Sequence, residues 1–271
     1  MTATIPKFEK ARSVGSEQRI PHIIHQTFQR TDVPAAMHRA AMSWLDKNPS
    51  YDYRFYDDDD HFRFLRQHFE PRVVEAYGKI TEGAFRADLW RYCILYAFGG
   101  VYADIDTICV TPLDELIKPT DEFIVPTVTA ARPNAVFNAF ICSAPKHPFL
   151  KQAISYACDN VLGNEPFDGF TMVGPGALGL AMNFALKRDP ETAHKAGSFT
   201  SNGLTYRVLE KRAAEGDKPP LVLNNASIVM LSRYEGYFED LEALGHVHWT
   251  ENRVKPSLMR RLLNRARAHF R

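Results

Sequence analysis

Asp104 and Asp106, two residues apart, and Asp88, three residues before Arg91, are the side chains of this sequence best suited to bond making. Asp104-Ile105-Asp106 closes a β-prone run that starts at Val101. In an extended segment, residues two apart point the same way, so both carboxylates would face one side with Ile105 opposite. Carboxylates that close repel each other unless a cation lies between them. Oxygen-only ligands suit Mg²⁺ or Mn²⁺, ions that habitually bridge a carboxylate to substrate phosphates. Asp-X-Asp is also a common solvated turn, so its meaning depends on the elements that carry it.

Those elements can be read on either side. Phe85, Leu89, Tyr92 and Tyr96 recur at helical spacing and predict a helix with one narrow apolar stripe, flanked by Asp88 and Arg91. Gly99-Gly100 follows the last periodic residue, where a helix commonly ends in a left-handed turn. Upstream, Ile20 to Phe28 reads as a buried strand ending in His25, Gln26 and Thr27. Ligands of open α/β sheets bind beyond the carboxyl ends of strands, which puts these three at the rim of a site. Pro34 to Asn48 predicts a helix, Tyr51 to Tyr56 a strand, and Pro71 to Lys79 a short helix. The acidic run Asp57 to Asp60 invites a metal reading, but four acids before an amphipathic segment are better explained as an N-cap and first turn.

Downstream, Thr107 to Val110, Phe123 to Val128 and Ala135 to Cys142 are strand candidates. Asn138 lies among apolar neighbours and needs a hydrogen-bond partner, which a sugar hydroxyl or a backbone group could supply. Gly174-Pro175-Gly176-Ala-Leu-Gly179 satisfies the dinucleotide fingerprint, yet no clear strand precedes it and no acid follows about 20 positions on. A loop that turns the chain, or offers backbone N–H groups to phosphate, fits better. Ala181 to Arg212 reads as helix and loop, and Leu221 to Val229 as a strand. His246 and His248 would share one face of an extended segment.

The string Phe85, Arg86, Asp88, Arg91, Tyr92, Gly99-Gly100 and Asp104-Ile105-Asp106 resembles the sugar-nucleotide signature of the family 32 glycosyltransferases. That family includes bacterial polysaccharide and lipid-linked glycan transferases and fungal mannosyltransferases, and is related to the large glucosylating toxins. The resemblance implies an α/β fold of the nucleotide-sugar transferase type A (GT-A, Rossmann-like) with helical additions. It implies retaining transfer of a hexose from a nucleotide sugar, UDP-hexose first and GDP-mannose next, to a glycan or lipid-linked acceptor. Carried over residue by residue, it has Asp106 on a Mn²⁺ or Mg²⁺ ion, Asp104 on metal water and ribose, and Asp88 and Arg91 on the donor sugar. His25-Gln26-Thr27 resembles the first strand of the nucleotide pocket, and the block Asn138 to Pro148 implies that Asn138 faces donor or acceptor. Gly174 and Gly176 match the family's loop before a helix, and either His248 or His246 completes the metal shell.

A chain of 271 residues fits one enlarged α/β domain, expected over residues 20–252 after a mobile leader at 1–19. The formal charge of +1 gives no electrostatic argument for nucleic acid. Four cysteines in apolar surroundings, without metal-type spacing, read as reduced core residues and suggest a cytoplasmic protein. No segment approaches the ~18 apolar residues of a membrane span. Residues 253–271 carry seven Lys and Arg and no acid, with Leu258, Met259, Leu262, Leu263, Ala266 and Phe270 on one helical face. This is the pattern of a helix lying on an anionic membrane surface, and it would place the protein at the inner face of a membrane. A glycosidase needs two carboxyls on opposite sides of the bond, ~5 Å or more apart, unlike a pair sharing one face. A non-catalytic nucleotide-sugar-binding protein at the membrane is the other reading, and a nicotinamide-dependent enzyme would rest on the Gly174 motif alone.

Overall fold

The computed structural model describes residues 2–128, 132–163, 168–216 and 219–245. In chain order the elements begin with β1 (Thr2–Thr4), β2 (Phe8–Glu9), β3 (Ile23–Thr27), β4 (Asp32–Pro34), α1 (Ala35–Lys47) and β5 (Asp52–Tyr56). Next come α2 (Asp58–His68), α3 (Pro71–Lys79), α4 (Gly83–Phe98), β6 (Gly100–Ala103), β7 (Ile108–Cys109), α5 (Leu113–Leu116), β8 (Phe123–Pro126) and β9 (Phe140–Ser143). The chain continues through α6 (Pro148–Leu162), α7 (Gly169–Met172), α8 (Pro175–Ala185), β10 (Gly197–Ser201), β11 (Leu204–Arg212), β12 (Leu221–Asn224), β13 (Ser227–Leu231) and α9 (Tyr237–Ala243). Residues 1–235 form one compact unit and 236–271 a second, which contains α9.

Among the described residues the main sheet runs β2-β5-β3-β6-β9-β8-β11-β12-β13-β7, with β10 on β11. β5, β3 and β6 are mutually parallel; β9 is antiparallel to both β6 and β8, and β11 is parallel to β8. The carboxyl ends of β3, β6, β8 and β11 therefore share one edge, where β9 begins. Only Asp104–Thr107 join β6 to β7, although β7 pairs with β13, far along the strand order. The five Cα steps from Ala103 to Ile108 reach at most ~18 Å, against several strand spacings of ~4.8 Å, so the sheet must curl until β7 returns beside the end of β6. Trp44 of α1 fixes the return, its indole N–H lying 3.1 Å from both the Thr107 carbonyl and its hydroxyl.

Several sequence expectations hold. α1, β5 and α3 fall within the predicted segments, and Asp57 caps α2 by a reciprocal box in which its side chain takes the Asp60 N–H at 2.9 Å. α4 stops at Gly99 (φ +66°). Gly100 allows close strand approach, since a Cβ there would lie 2.5 Å from the Ile23 carbonyl oxygen. All four cysteines are buried and free, and no helix among the described residues is long and apolar enough to cross a membrane.

Others are corrected. α4 has no single apolar stripe: Asp88 to Leu95 are all buried, because this helix is packed by the sheet on one side and by α2, α3 and α6 around it. β6 ends at Ala103, and Asp104-Ile105-Asp106 is a turn held by the Thr107 N–H on the Asp104 carbonyl at 3.1 Å, not the end of an extended segment. Residues 1–19, expected as a mobile leader, supply β1 and β2, which pair with β4 and β5, and bury Ile5. Too few apolar residues lie there to betray this; the edge hydrogen bonds decide it. The segment 181–212 contains β10 and the central strand β11, and the strand read at Leu221 to Val229 is a hairpin turned by Asn225 (φ +56°). The basic helix expected at 253–271, and His246 and His248, lie outside the described residues.

Candidate functional site

The shared carboxyl edge gathers Asp88 and Arg91 from α4, Asp104 from the turn after β6, and Asn138 from the approach to β9. Arg91 is the hub. Its Nη2 lies 3.1 Å from Asp88 Oδ1, its Nη1 lies 3.2 Å from Asp104 Oδ1, and Nη1 also donates to the Asn138 carbonyl at 2.7 Å. The guanidinium lies 4.4 Å from the Tyr102 ring centroid, and the Tyr102 hydroxyl donates to Asp104 Oδ1 at 2.7 Å. Asn138 donates from Nδ2 to Asp88 Oδ1 at 2.8 Å and to the Tyr92 hydroxyl at 2.9 Å, and Tyr92 in turn donates to the Gly174 carbonyl at 3.0 Å.

Helical periodicity and chain adjacency explain this assembly. Asp88, Arg91 and Tyr92 are three and four apart, hence on one face of α4. Tyr102 comes from β6 and Asp104 from the turn directly after it, joined through the Tyr102 hydroxyl. The partner that Asn138 needs is supplied by Asp88 and Tyr92, which sequence reasoning had left between a sugar and a backbone group.

The electrostatics are uneven. Asp88 is pushed up to about 6, chiefly by burial and further by the Asp104 charge, against Arg91 and Asn138. Asp104 keeps 30% of its side chain open, yet the protein around it raises its carboxyl too, with Arg91 and Tyr102 opposing. Burial works against the charge of Arg91, but Asp104, Tyr102 and Asp88 outweigh it and hold the guanidinium above its usual range. One cation thus serves two crowded carboxylates, an arrangement with room for more positive charge.

Asp106 is tied into the same edge through its carbonyl, which accepts from the Tyr234 N–H at 3.2 Å. Asp104 and Asp106 offer oxygen donors of the kind Mg²⁺ and Mn²⁺ prefer. Among the described residues no group of three or more His, Cys, Asp or Glu gathers as a metal cluster, so the two aspartates would hold such an ion with ligands from elsewhere.

Gly174 and Gly176 open α8, which follows the short helix α7 rather than a strand, so the dinucleotide reading falls. A Cβ on Gly174 would lie 2.9 Å from Asp88 Oδ2 and 3.1 Å from the Gly169 carbonyl oxygen. The loop therefore packs directly against the Asp88 carboxylate.

His25, Gln26 and Thr27 do not join the cluster's rim as expected. His25 is fully buried, its Nε2 3.0 Å from the Gly99 carbonyl and its Nδ1 3.2 Å from the Tyr56 hydroxyl. Burial drops its pKa to about 3. Thr27 donates to the Tyr56 carbonyl and lies 2.7 Å from His61 Nε2. Gln26 reaches the site only from beneath, donating to the Asp104 carbonyl at 3.3 Å while accepting from the Tyr53 hydroxyl at 2.9 Å. Strand position placed these residues at a carboxyl edge; it could not tell a rim residue from one already matched within the core.

Residues 34–123 match the model of a family described as the glycosyltransferase sugar-binding region containing a DXD motif. The match includes Asp88, Arg91, Asp104 and Asp106. The chain is 33% identical over 138 residues to a mannosyl phosphorylinositol ceramide synthase of Saccharomyces cerevisiae, covering 51% of this chain and 35% of that protein. It is 31% identical over 148 residues to an inositol phosphoceramide mannosyltransferase of Schizosaccharomyces pombe, covering 55% and 41%. The matched stretch is thus well under half the length of these relatives. Among solved structures, the PaToxG glycosyltransferase superposes with a TM-score of 0.51 at 18% identity, over 62% of this chain and 70% of that one. The fold is therefore α/β and GT-A-like, as the sequence implied.

Proposed function

We propose that this chain, which carries the DXD-containing sugar-binding region of the glycosyltransferases, is a retaining, metal-dependent hexosyltransferase. It moves a sugar from a nucleotide donor to a hydroxyl of a glycan or lipid-linked acceptor. The observation that carries the reading is the Asp88–Arg91–Asp104–Asn138 network, closed on the edge where the carboxyl ends of parallel strands meet. The names of the relatives, a mannosyl phosphorylinositol ceramide synthase and a mannosyltransferase, favour mannose over the UDP-hexose expected from sequence.

Each residue then has a task that its chemistry fits. Asp88, whose Oδ1 is held by Asn138 and Arg91, accepts hydrogen bonds from hydroxyls of the donor sugar. Arg91 and Tyr102 hold Asp104 at the lip of the edge and orient it toward ribose and ion. Asp106 and Asp104 would hold Mn²⁺ or Mg²⁺, which would supply positive charge to the leaving diphosphate. The Gly174 turn keeps the opposite wall close enough to fix Asp88. Attack from the leaving-group face, with a phosphate oxygen as base, is the course to retention that the family resemblance implies. The basic segment 253–271 would bring the site to an anionic membrane from the cytoplasmic side, a reading that flotation of the chain with and without it on anionic liposomes tests.

The decisive assay is transfer and hydrolysis over GDP-mannose, UDP-glucose and UDP-galactose with Mn²⁺, against EDTA and against Asp106→Asn. Turnover of one donor, abolished by both controls, upholds the reading and names the donor. Donor binding without turnover would instead support the binding-protein reading.

A further inference from the structure

Lys211 is a cation that no motif singles out. It sits near the end of β11, whose carboxyl end shares an edge with those of β6 and β8. Its backbone N–H donates to the Thr127 hydroxyl at 3.0 Å, just past the end of β8, and its Nζ lies 4.5 Å from the ring centroid of Phe137, the residue before Asn138. Strand alternation turns it to the opposite side from Glu210 and Arg212, which pair with each other in solvent at 2.8 Å. The curl of the sheet brings Arg233 to the same region, since the next residue, Tyr234, donates its N–H to the Asp106 carbonyl.

Lys211 thus lies against Phe137, the residue before Asn138, with Arg233 as a second cation nearby. Burial, and then the like charge of Arg233, push its ammonium pKa down. A half-buried ammonium beside a second cation is relieved by an anion. A structural lysine at a strand end would instead snorkel to solvent or pair with an acid.

We infer that Lys211 is a donor-binding residue that grips the diphosphate of the nucleotide sugar. This rests on the glycosyltransferase reading and deepens it. The aspartates would hold an ion that supplies positive charge to the diphosphate, and Lys211 would add a second cation to its oxygens. The contact is made to phosphate oxygens alone, so it is indifferent to the base and to the sugar.

The test is calorimetric titration of the full chain with GDP, UDP, guanosine, uridine and inositol 1-phosphate, in Mg²⁺, for wild type, Lys211→Gln and Lys211→Arg. Loss of a charge-assisted hydrogen bond should weaken the preferred nucleoside diphosphate by about tenfold or more, leave its nucleoside unchanged, and be largely restored by arginine. Thermal melting of each variant shows that it is folded, and Lys211→Arg keeps the test open should the glutamine variant not fold. Unchanged diphosphate affinity in Lys211→Gln overturns the assignment. So does a loss confined to inositol 1-phosphate, which would place the lysine on the acceptor. A wild-type chain that binds neither diphosphate overturns the transferase reading itself, and the assignment with it.

Discussion

His25, Thr27 and His61 beneath the sheet edge, and Asp88, Arg91 and Asp104 upon it, are equally polar and differ in how they are matched. Beneath, each ring nitrogen of His25 meets one partner, and His61 lies 2.8 Å from the Tyr77 hydroxyl and 2.7 Å from Thr27 while stacking on Trp90. Burial holds both imidazoles neutral, each with a pKa near 3. On the edge, two acids share one guanidinium and both carboxyls are raised. Among the described residues the lower layer is matched group for group, whereas in the upper one a single guanidinium faces two acids, an arrangement suited to taking up a further cation.

The sharpest way to break this comparison is at the aspartates. Asp106→Asn and Asp104→Asn should each lower sugar transfer by about 10³-fold or more, the scale of removing a transition-state charge partner, while melting within a few degrees of wild type. EDTA should act likewise on the wild type. A loss of activity matched by unfolding would make the turn structural.

The lower layer should fail in the opposite way. His25→Leu or His61→Leu orphans buried partners and should cost about 1–3 kcal/mol at pH 7.5 by denaturant unfolding. The same variants should flatten the acid limb. With folded values near 3 and an unfolded value of 6.5, the unfolded chain takes up protons that the native imidazoles refuse, so stability falls as pH drops below about 6.5. Wild-type stability independent of pH between 6.5 and 4 would contradict the neutral buried imidazoles.

Asp88 should show the reverse sign. Its folded value of about 6 lies above the unfolded 3.8, so its contribution is complete below pH 3.8 and is lost as pH rises through 6. Asp88→Asn should therefore raise stability of the metal-free chain at pH 7.5 by about 1–2 kcal/mol while abolishing transfer. A destabilised variant would mean that Arg91 compensates Asp88 fully. Smallest of all, Asp57→Ala removes the α2 cap, and should cost about 1 kcal/mol of stability by denaturant unfolding.

Much of this was written in the chain. The helix bearing Asp88 and Arg91, its stop at Gly99, the capping role of Asp57 to Asp60 and the glycosyltransferase signature all rest on spacing within about 20 residues, where local geometry dictates which side chains meet. Spacing could not reveal that Arg91 reaches Asp104 and Asn138, because those partners come from other elements. Nor could it show that His25 is matched by Gly99 and Tyr56, or that β11 runs through the middle of the sheet and delivers Lys211 to the edge. The sequence by itself determined which residues could do chemistry. Only the tertiary structure decided which are used up inside the protein, because a buried polar group is satisfied by neighbours that the folded sheet, not the order of the chain, places within hydrogen-bonding reach.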